Sequence, residues 1–171
     1  MKKRILSYVF SLVISIFFLS CSSDDDGAQM DTEQFLIANV NGVDFTSDDT
    51  KQPLGFKRIL MPSGMVNLYV KVYSAEDDIV EFMIENFHGA GKYKLGSSFY
   101  TNSWVKYERP LSSESWLVGL EKSLNMQTNY IEISSVTDRY IEGRISCKEM
   151  VQNIDGLFGV MEGQFRLKEI D

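Results

Sequence analysis

The sequence predicts an all-β fold, a single antiparallel β-sandwich or barrel-like domain of about 8–10 short strands. Three observations support this class. Apolar residues alternate with polar ones along most of the chain after residue 34, turn-forming residues interrupt these runs at short intervals, and no strong helical periodicity occurs. The domain, residues 34–171, has the usual size of one folding unit and contains no internal linker.

The first element is a hairpin. Phe35–Val40 is followed by Val43–Thr46, and Asn41-Gly42 separates the two runs. Asn-Gly is the dipeptide that best supplies the two positive φ angles of a type I′ turn, so we expect a two-residue β-hairpin here.

The next hairpin is predicted over residues 65–87. In Met65–Ser74 the apolar residues fall on one face of a strand, since they stand at every second position. The acidic turn Glu76–Asp78 leads into Ile79–Phe87, where apolar and acidic side chains also alternate. These runs predict two antiparallel neighbours.

Three further runs in the middle of the chain are predicted as strands. Lys92–Leu95 follows a glycine-rich break, and Phe99–Tyr107 and Trp116–Glu121 flank a polar loop at Arg109–Ser115. Each run is rich in aromatic or β-branched residues and is predicted as a strand.

The C-terminal part predicts a third hairpin and a last strand. Tyr130–Val136 and Arg139–Lys148 alternate strongly and are joined by the turn Thr137-Asp138. The only helical pattern lies at residues 150–158, scarcely two turns and interrupted by a glycine. Phe165 and Leu167 belong to the closing strand.

The N-terminus has the pattern of a lipoprotein signal, predicted over residues 1–20. Three basic residues precede Ile5–Leu19, in which 11 of 15 positions are aliphatic or Phe. This run is short for a membrane span, which needs about 20 apolar residues. Cys21 follows it directly, at the position of a bacterial lipobox cysteine. We therefore expect cleavage before Cys21 and acylation of its thiol and amino group, with palmitate as a typical acyl chain.

Residues 21–33 are predicted to be a lipidated, acidic tether. Ser22–Glu33 has few apolar side chains and five acidic ones, so we expect an extended coil of roughly 20 Å. Removal of the signal leaves 14 Lys+Arg against 24 Asp+Glu, a net charge of −10. Such a surface repels phosphates, so nucleic acid is not an expected partner. The expected partners are the membrane, through Cys21, and a glycan or protein ligand.

Segments along the domain resemble a domain-of-unknown-function family of Bacteroidota lipoproteins. The matching pieces are Phe35–Phe45, Ile84–Leu95, Ile131–Ile133, Ile141–Ile145 and Glu162–Phe165, in that order. The resemblance implies an antiparallel β fold and a secreted lipoprotein, and it brings no catalytic residues. The serine–aspartate run Ser22–Asp26 resembles the surface-export signals of Bacteroidota lipoproteins, so an outer-membrane, surface-exposed location is expected.

The residue types needed for common catalytic sites are missing. His88 is the only histidine and no cysteine cluster accompanies it, so neither a zinc site nor a Ser-His-Asp triad is expected. His88 precedes Gly89 and is interpreted as a turn residue bonded to its own loop. Cys147 is expected to be a buried structural thiol, because it shares strand parity with Ile141 and Ile145. No enzyme activity, metal or cofactor is predicted.

Aromatic residues give the only positive indication of a ligand site. Phe99, Tyr100, Trp104, Tyr107 and Trp116 crowd a short stretch and occupy both strand parities, so one set packs inside and the other is free for recognition. Trp104, Tyr107 and Trp116 are the candidate ligand-binding residues, with core packing as the competing interpretation. We expect at least one of the three to be solvent-exposed.

The expected function is a lipid-anchored cell-envelope binding or structural module. Two more specific functions remain open: recognition of a glycan or host ligand through the Phe99–Trp116 region, and transport of an apolar ligand inside a calycin-like barrel.

Overall fold

A computed structural model describes residues 33–96, 102–118 and 128–171, and Glu33–Asp171 form one compact unit. The predicted signal peptide, Cys21 and nearly all of the predicted tether lie outside the described residues. Eleven strands and one 3₁₀ turn occur in the described part. They are β1 (Phe35–Val40), β2 (Val43–Thr46), β3 (Phe56–Leu60), β4 (Val66–Tyr73), β5 (Ile79–Ile84), β6 (Gly91–Lys94), β7 (Trp104–Arg109), the 3₁₀ turn (Pro110–Ser112), β8 (Glu114–Val118), β9 (Tyr130–Val136), β10 (Tyr140–Gln152) and β11 (Phe158–Lys168).

All eleven strands belong to one antiparallel sheet that curls into a half-barrel. The main order is β2-β1-β11-β10-β8-β7-β5-β4-β3, and β9 pairs with the first half of β10 and carries β6 on its other edge. Isolated bridges link Ser47 to Ser74 and Phe56 to Glu169, so the two ends of the main path approach each other. The prediction of an all-β antiparallel fold is confirmed.

The three hairpins predicted from period two are confirmed. Asn41 and Gly42 have φ angles of 53° and 86°, as a type I′ turn requires, and join β1 to β2. β4 pairs with β5, and β9 pairs with β10. Asn41 also ties its turn to β11, because its Oδ1 accepts the Val160 N–H at 2.7 Å.

Residues 150–158 form no helix, in agreement with the all-β prediction, although their apolar spacing is weakly helical. Met150 continues the inward-facing row of β10 beyond a bulge, and it is fully buried. The chain then turns within five residues, where the Gln152 N–H donates to the Leu157 carbonyl. The apparent helical spacing arose because a strand end, a turn and a strand start were taken as one segment.

β3 has no counterpart among the predicted strands, and the count of eleven exceeds the expected range. Only Phe56 of this strand is buried, whereas the next four residues are exposed. An edge strand with a single inward side chain carries no period-two signal, since alternation arises only when one face is buried. β3 is held instead by its pairing with β4.

The concave side of the sheet holds the core. Phe82 and Phe165 meet with ring centroids 5.4 Å apart, and Phe45 meets Tyr107 edge-on at 6.4 Å. Cys147 lies in this core with no exposed surface, which confirms its expected burial. Among the described residues, no helix is long and apolar enough to cross a lipid bilayer.

Candidate functional site

The structure places two of the three candidate ligand-binding residues in the core. Tyr107 is 1% exposed and Trp116 is 7% exposed. The polar atom of each has an internal partner, since Tyr107 donates to Asp78 Oδ2 at 2.7 Å and Trp116 Nε1 donates to Glu114 Oε1 at 2.9 Å. As placed, neither ring forms part of an exposed recognition surface, because β7 and β8 direct both inward.

Trp104 is the remaining member of that set. It is half-buried and alternates with the inward-facing Val105, so it lies on the outer side of β7, across from Met83 of β5. Phe99 and Tyr100 lie outside the described residues. The structure therefore brings Tyr107 and Trp116 together as cross-strand neighbours and leaves Trp104 on the opposite face of the sheet.

His88 forms contacts within its own loop, as the sequence predicts. Its Nδ1 lies 2.9 Å from the Asn86 carbonyl oxygen, and its ring packs against Tyr93 with a centroid distance of 5.2 Å. In residues 33–96, 102–118 and 128–171, no three His, Cys, Asp or Glu side chains form a group that could hold a metal ion.

A groove of about 570 Å³ lies on the outer side of β2, β1, β11 and β10; we call it the outer-face groove. This volume is within the usual range of ligand sites, roughly 300–1,000 Å³. Two cross-strand rows of side chains border it, and the backbone of Ala38 and Gly163 runs between them. The outer-face groove is lined by Ile37, Ala38, Asn39, Asp44, Phe45, Thr46, Arg144, Glu162, Gly163 and Gln164.

One border of the outer-face groove is acidic. Asp44 and Glu162 both stand opposite Asn39 in the sheet register. Asn39 Nδ2 donates to Asp44 Oδ1 at 2.7 Å, and Glu162 Oε1 accepts bonds from Ser146 and from Lys148. One oxygen of each carboxylate therefore accepts hydrogen bonds within the sheet. These bonds fix the orientation of the second oxygen of the same carboxylate.

The second border combines an amide, a hydroxyl and a cation. Gln164 stands between Ile37 and Arg144, and Ile37 stands opposite Thr46. Arg144 Nε and one terminal nitrogen bind Glu132 Oε2 at 2.8 and 2.7 Å. This hydrogen bond, with the charge of Glu132, raises the pKa of the Arg144 guanidinium above its ordinary value.

A second surface feature is a set of exposed apolar side chains around the β10–β11 turn, which we call the tip patch. Leu111 is 90% exposed and Phe158 is 67% exposed. An exposed Phe beside several exposed aliphatic residues marks an interaction surface more often than a scattered single residue does. The tip patch consists of Leu111, Ile154, Leu157, Phe158 and Val160.

Hydrogen bonds of Asn153 hold the two turns of the tip patch together. Its N–H donates to the Ser115 carbonyl at 3.0 Å, and its side chain accepts the Ser115 N–H at 2.9 Å and donates to the Ser113 carbonyl at 3.4 Å. The β7–β8 turn, which carries Leu111, is thereby fixed beside the β10–β11 turn, which carries Ile154 and Leu157. The tip patch is a surface on two coupled turns.

The tip patch and the start of the domain lie at opposite ends of β11. Gln34 Oε1 accepts the Lys168 N–H at 2.8 Å, so residue 34 is beside the last residue of that strand. Phe158 is the first residue of β11. At about 3.3 Å per residue, the ten steps between them span roughly 33 Å.

Sequence reasoning missed both surfaces, although part of the signal was present. Phe158, Val160, Glu162 and Gln164 share one parity, and a strand that includes two charged or amide side chains on a face presents that face to solvent. Comparison with protein-family models, with curated proteins and with solved structures found no match.

Proposed function

We propose that this chain is an outer-membrane, surface-exposed lipoprotein whose β domain is a binding module, with the tip patch as its contact surface for another protein. Lipidation at Cys21 holds the chain, and the acidic tether joins the anchor to Gln34. The signal pattern before Cys21 and the resemblance to Bacteroidota lipoproteins support the anchoring part of this proposal. Two or more acyl chains are enough for durable attachment.

The placement of the tip patch is the observation that carries the binding part. Gln34, which directly follows the predicted tether in sequence, lies beside Lys168, and the tip patch lies at the far end of the same strand. A module tied at one end presents its other end to the surroundings. Loops on a rigid sheet commonly carry recognition, and here two of them are fixed by Asn153.

The charge of the chain favours a partner with a basic rim around an apolar centre. Asp155 stands between Ile154 and Gly156 in the β10–β11 turn, and the mature chain is strongly acidic. A second copy would bring two strongly acidic chains together, and anionic lipid head groups would repel the same chain. A basic protein surface is complementary to it.

The interior of the described sheet supports surface recognition over carriage of an apolar ligand. Large side chains fill the concave side, including Phe45, Phe82, Tyr107 and Phe165. Their rings contact one another across the sheet, and a ligand of similar size would have to displace them.

Lipid anchoring is tested by labelling with radioactive palmitate in the native host. We expect the wild-type chain to incorporate label and to partition into the detergent phase, because the Cys21 thiol accepts the diacylglyceryl group. Cys21→Ser removes this nucleophile and should incorporate none. Cys147→Ser, which removes the buried thiol, is the matched control and should label as the wild type does. Label on the Cys21→Ser chain would contradict anchoring at this residue.

A further inference from the structure

We propose that the outer-face groove is a binding site for a neutral saccharide. The inference is independent of the tip patch and of the partner proposed for it, because it rests on a different set of side chains. It starts from the rows of side chains that border the groove and from the hydrogen-bonding atoms that these rows leave available.

The groove offers acceptors on one border and mixed donors and acceptors on the other. Asp44 and Glu162 each use one carboxylate oxygen within the sheet, so the second oxygen of each is left for a ligand. Gln164 supplies an amide and Thr46 a hydroxyl, and within the part of the chain described by the structure neither side chain has a hydrogen-bond partner. Ligand hydroxyl groups match this set, since each hydroxyl both donates and accepts.

The second border also carries an apolar side chain. Ile37 is 38% exposed and stands in the row of Thr46 and Gln164. A sugar ring has C–H groups on its faces and hydroxyls on its edge, so one ring can cover Ile37 while its hydroxyls reach both borders. The backbone of Ala38 and Gly163, whose side-chain positions face the core, forms the floor on which the ring lies.

The charges argue against an anionic ligand. Arg144 is the guanidinium of the groove, and two of its nitrogens already bind Glu132. An anion would also approach the carboxylates of Asp44 and Glu162 at a net cost, because like charges at short distance repel. A neutral ligand with many hydroxyls avoids this repulsion and uses the same carboxylates as acceptors.

The test is a chemical-shift titration of the whole ¹⁵N-labelled chain in a phosphocholine detergent, which carries no sugar. Maltotriose and cellotriose are the saccharide probes, and sodium sulfate is the anionic probe. At least one trisaccharide should produce saturable shifts at the amides of residues 37–39, 44–46 and 162–164, and sulfate should not. Gln164→Ala should weaken binding about five-fold, as expected for loss of one hydrogen bond.

Matched controls keep the result interpretable. Gln52→Ala removes the same side chain from an exposed loop outside the groove and should bind as the wild type does. Thr46→Trp fills the groove with a large ring and should abolish the shifts. The amide spectrum of each variant reports whether the sheet is intact. The proposal is overturned if neither trisaccharide shifts these amides, if sulfate alone does, or if Gln164→Ala binds with unchanged affinity.

Discussion

Tyr107 combines a ring in the core with a hydroxyl bound at the rim of the sheet. Its hydroxyl donates to Asp78, whose same oxygen lies 3.5 Å from Arg109 Nε. Burial, followed by the bond to Asp78, raises the pKa of Tyr107 well above its ordinary value of about 10. This residue is therefore structural, although the sequence alone also allowed it to be part of a binding surface.

Tyr107→Phe should lower the free energy of unfolding by about 1–2 kcal/mol at pH 7, because a charge-assisted hydrogen bond is lost and Asp78 keeps its charge. The difference should narrow as pH rises above 10. The unfolded wild-type chain then releases the Tyr107 proton while the folded chain retains it, so the wild type loses stability that the variant never had. Urea unfolding at pH 7 and pH 10.5 measures both effects. A difference in the free energy of unfolding between the wild type and Tyr107→Phe that is constant or widens with pH would contradict the assigned hydrogen bond.

The parity of a residue in its strand was enough to predict burial at several positions. Cys147 was placed inside by its spacing from Ile141 and Ile145, and the structure confirms it. Burial raises the pKa of its thiol far above the ordinary value. For the aromatic stretch, parity predicted that rings occupy both faces but could not show which face is the core, since both carried large apolar groups.

At the scale of elements, β10 is the strand on which the sheet depends. It is 13 residues long, pairs with β11 on one side, and pairs with β9 and then β8 on the other. Its register with β9 shifts between Glu142 and Gly143. At that point the two backbones approach closely, because a Cβ on Gly143 would lie 2.3 Å from the Glu132 carbonyl oxygen and 2.7 Å from Phe165 Cζ.

Gly143→Ala should therefore destabilise the domain by about 2 kcal/mol, since neither a backbone oxygen nor a packed ring can move aside cheaply. Urea unfolding monitored by tryptophan fluorescence measures this loss. Lys94→Ala, an exposed change on β6, which pairs with β9, should stay within about 0.5 kcal/mol of the wild type. Equal stability of Gly143→Ala and the wild type would show that the strands are farther apart than the structure gives.

The elements that were predictable from sequence are those with one buried face and a distinctive turn. Asn41-Gly42 specified the first hairpin through its backbone preference, and alternation specified β4, β5, β9 and β10. β3 was not predictable because its contribution to the core is one side chain. The last residues of β10, beyond Lys148, were not predicted as strand because the bulge after Cys147 breaks the period.

At the scale of the whole molecule, the two candidate surfaces depend on contacts that no local pattern reveals. The tip patch exists because Asn153 joins the β10–β11 turn to the β7–β8 turn. Its hydrogen-bond partners, Ser115 and Ser113, stand 38 and 40 residues before it in the sequence. The outer-face groove exists because β1 and β11, more than 100 residues apart in sequence, bring Asn39 and Glu162 into register. Sequence reasoning gave the fold class and the hairpins, but long-range strand order decides which outward side chains share a surface.

The central claim is that the end of the domain opposite the tether contacts another protein. The most direct test is photo-cross-linking in living cells with benzoylphenylalanine at position 158, in the tip patch, or at position 138, in the β9–β10 turn near the opposite end of β11. Position 158 should give one discrete cross-linked protein of different sequence, the yield should fall when Leu157→Ser is added, and position 138 should give none. Cross-links from position 158 only to lipid or to a second copy, or an equal yield of the same product from position 138, would contradict the account.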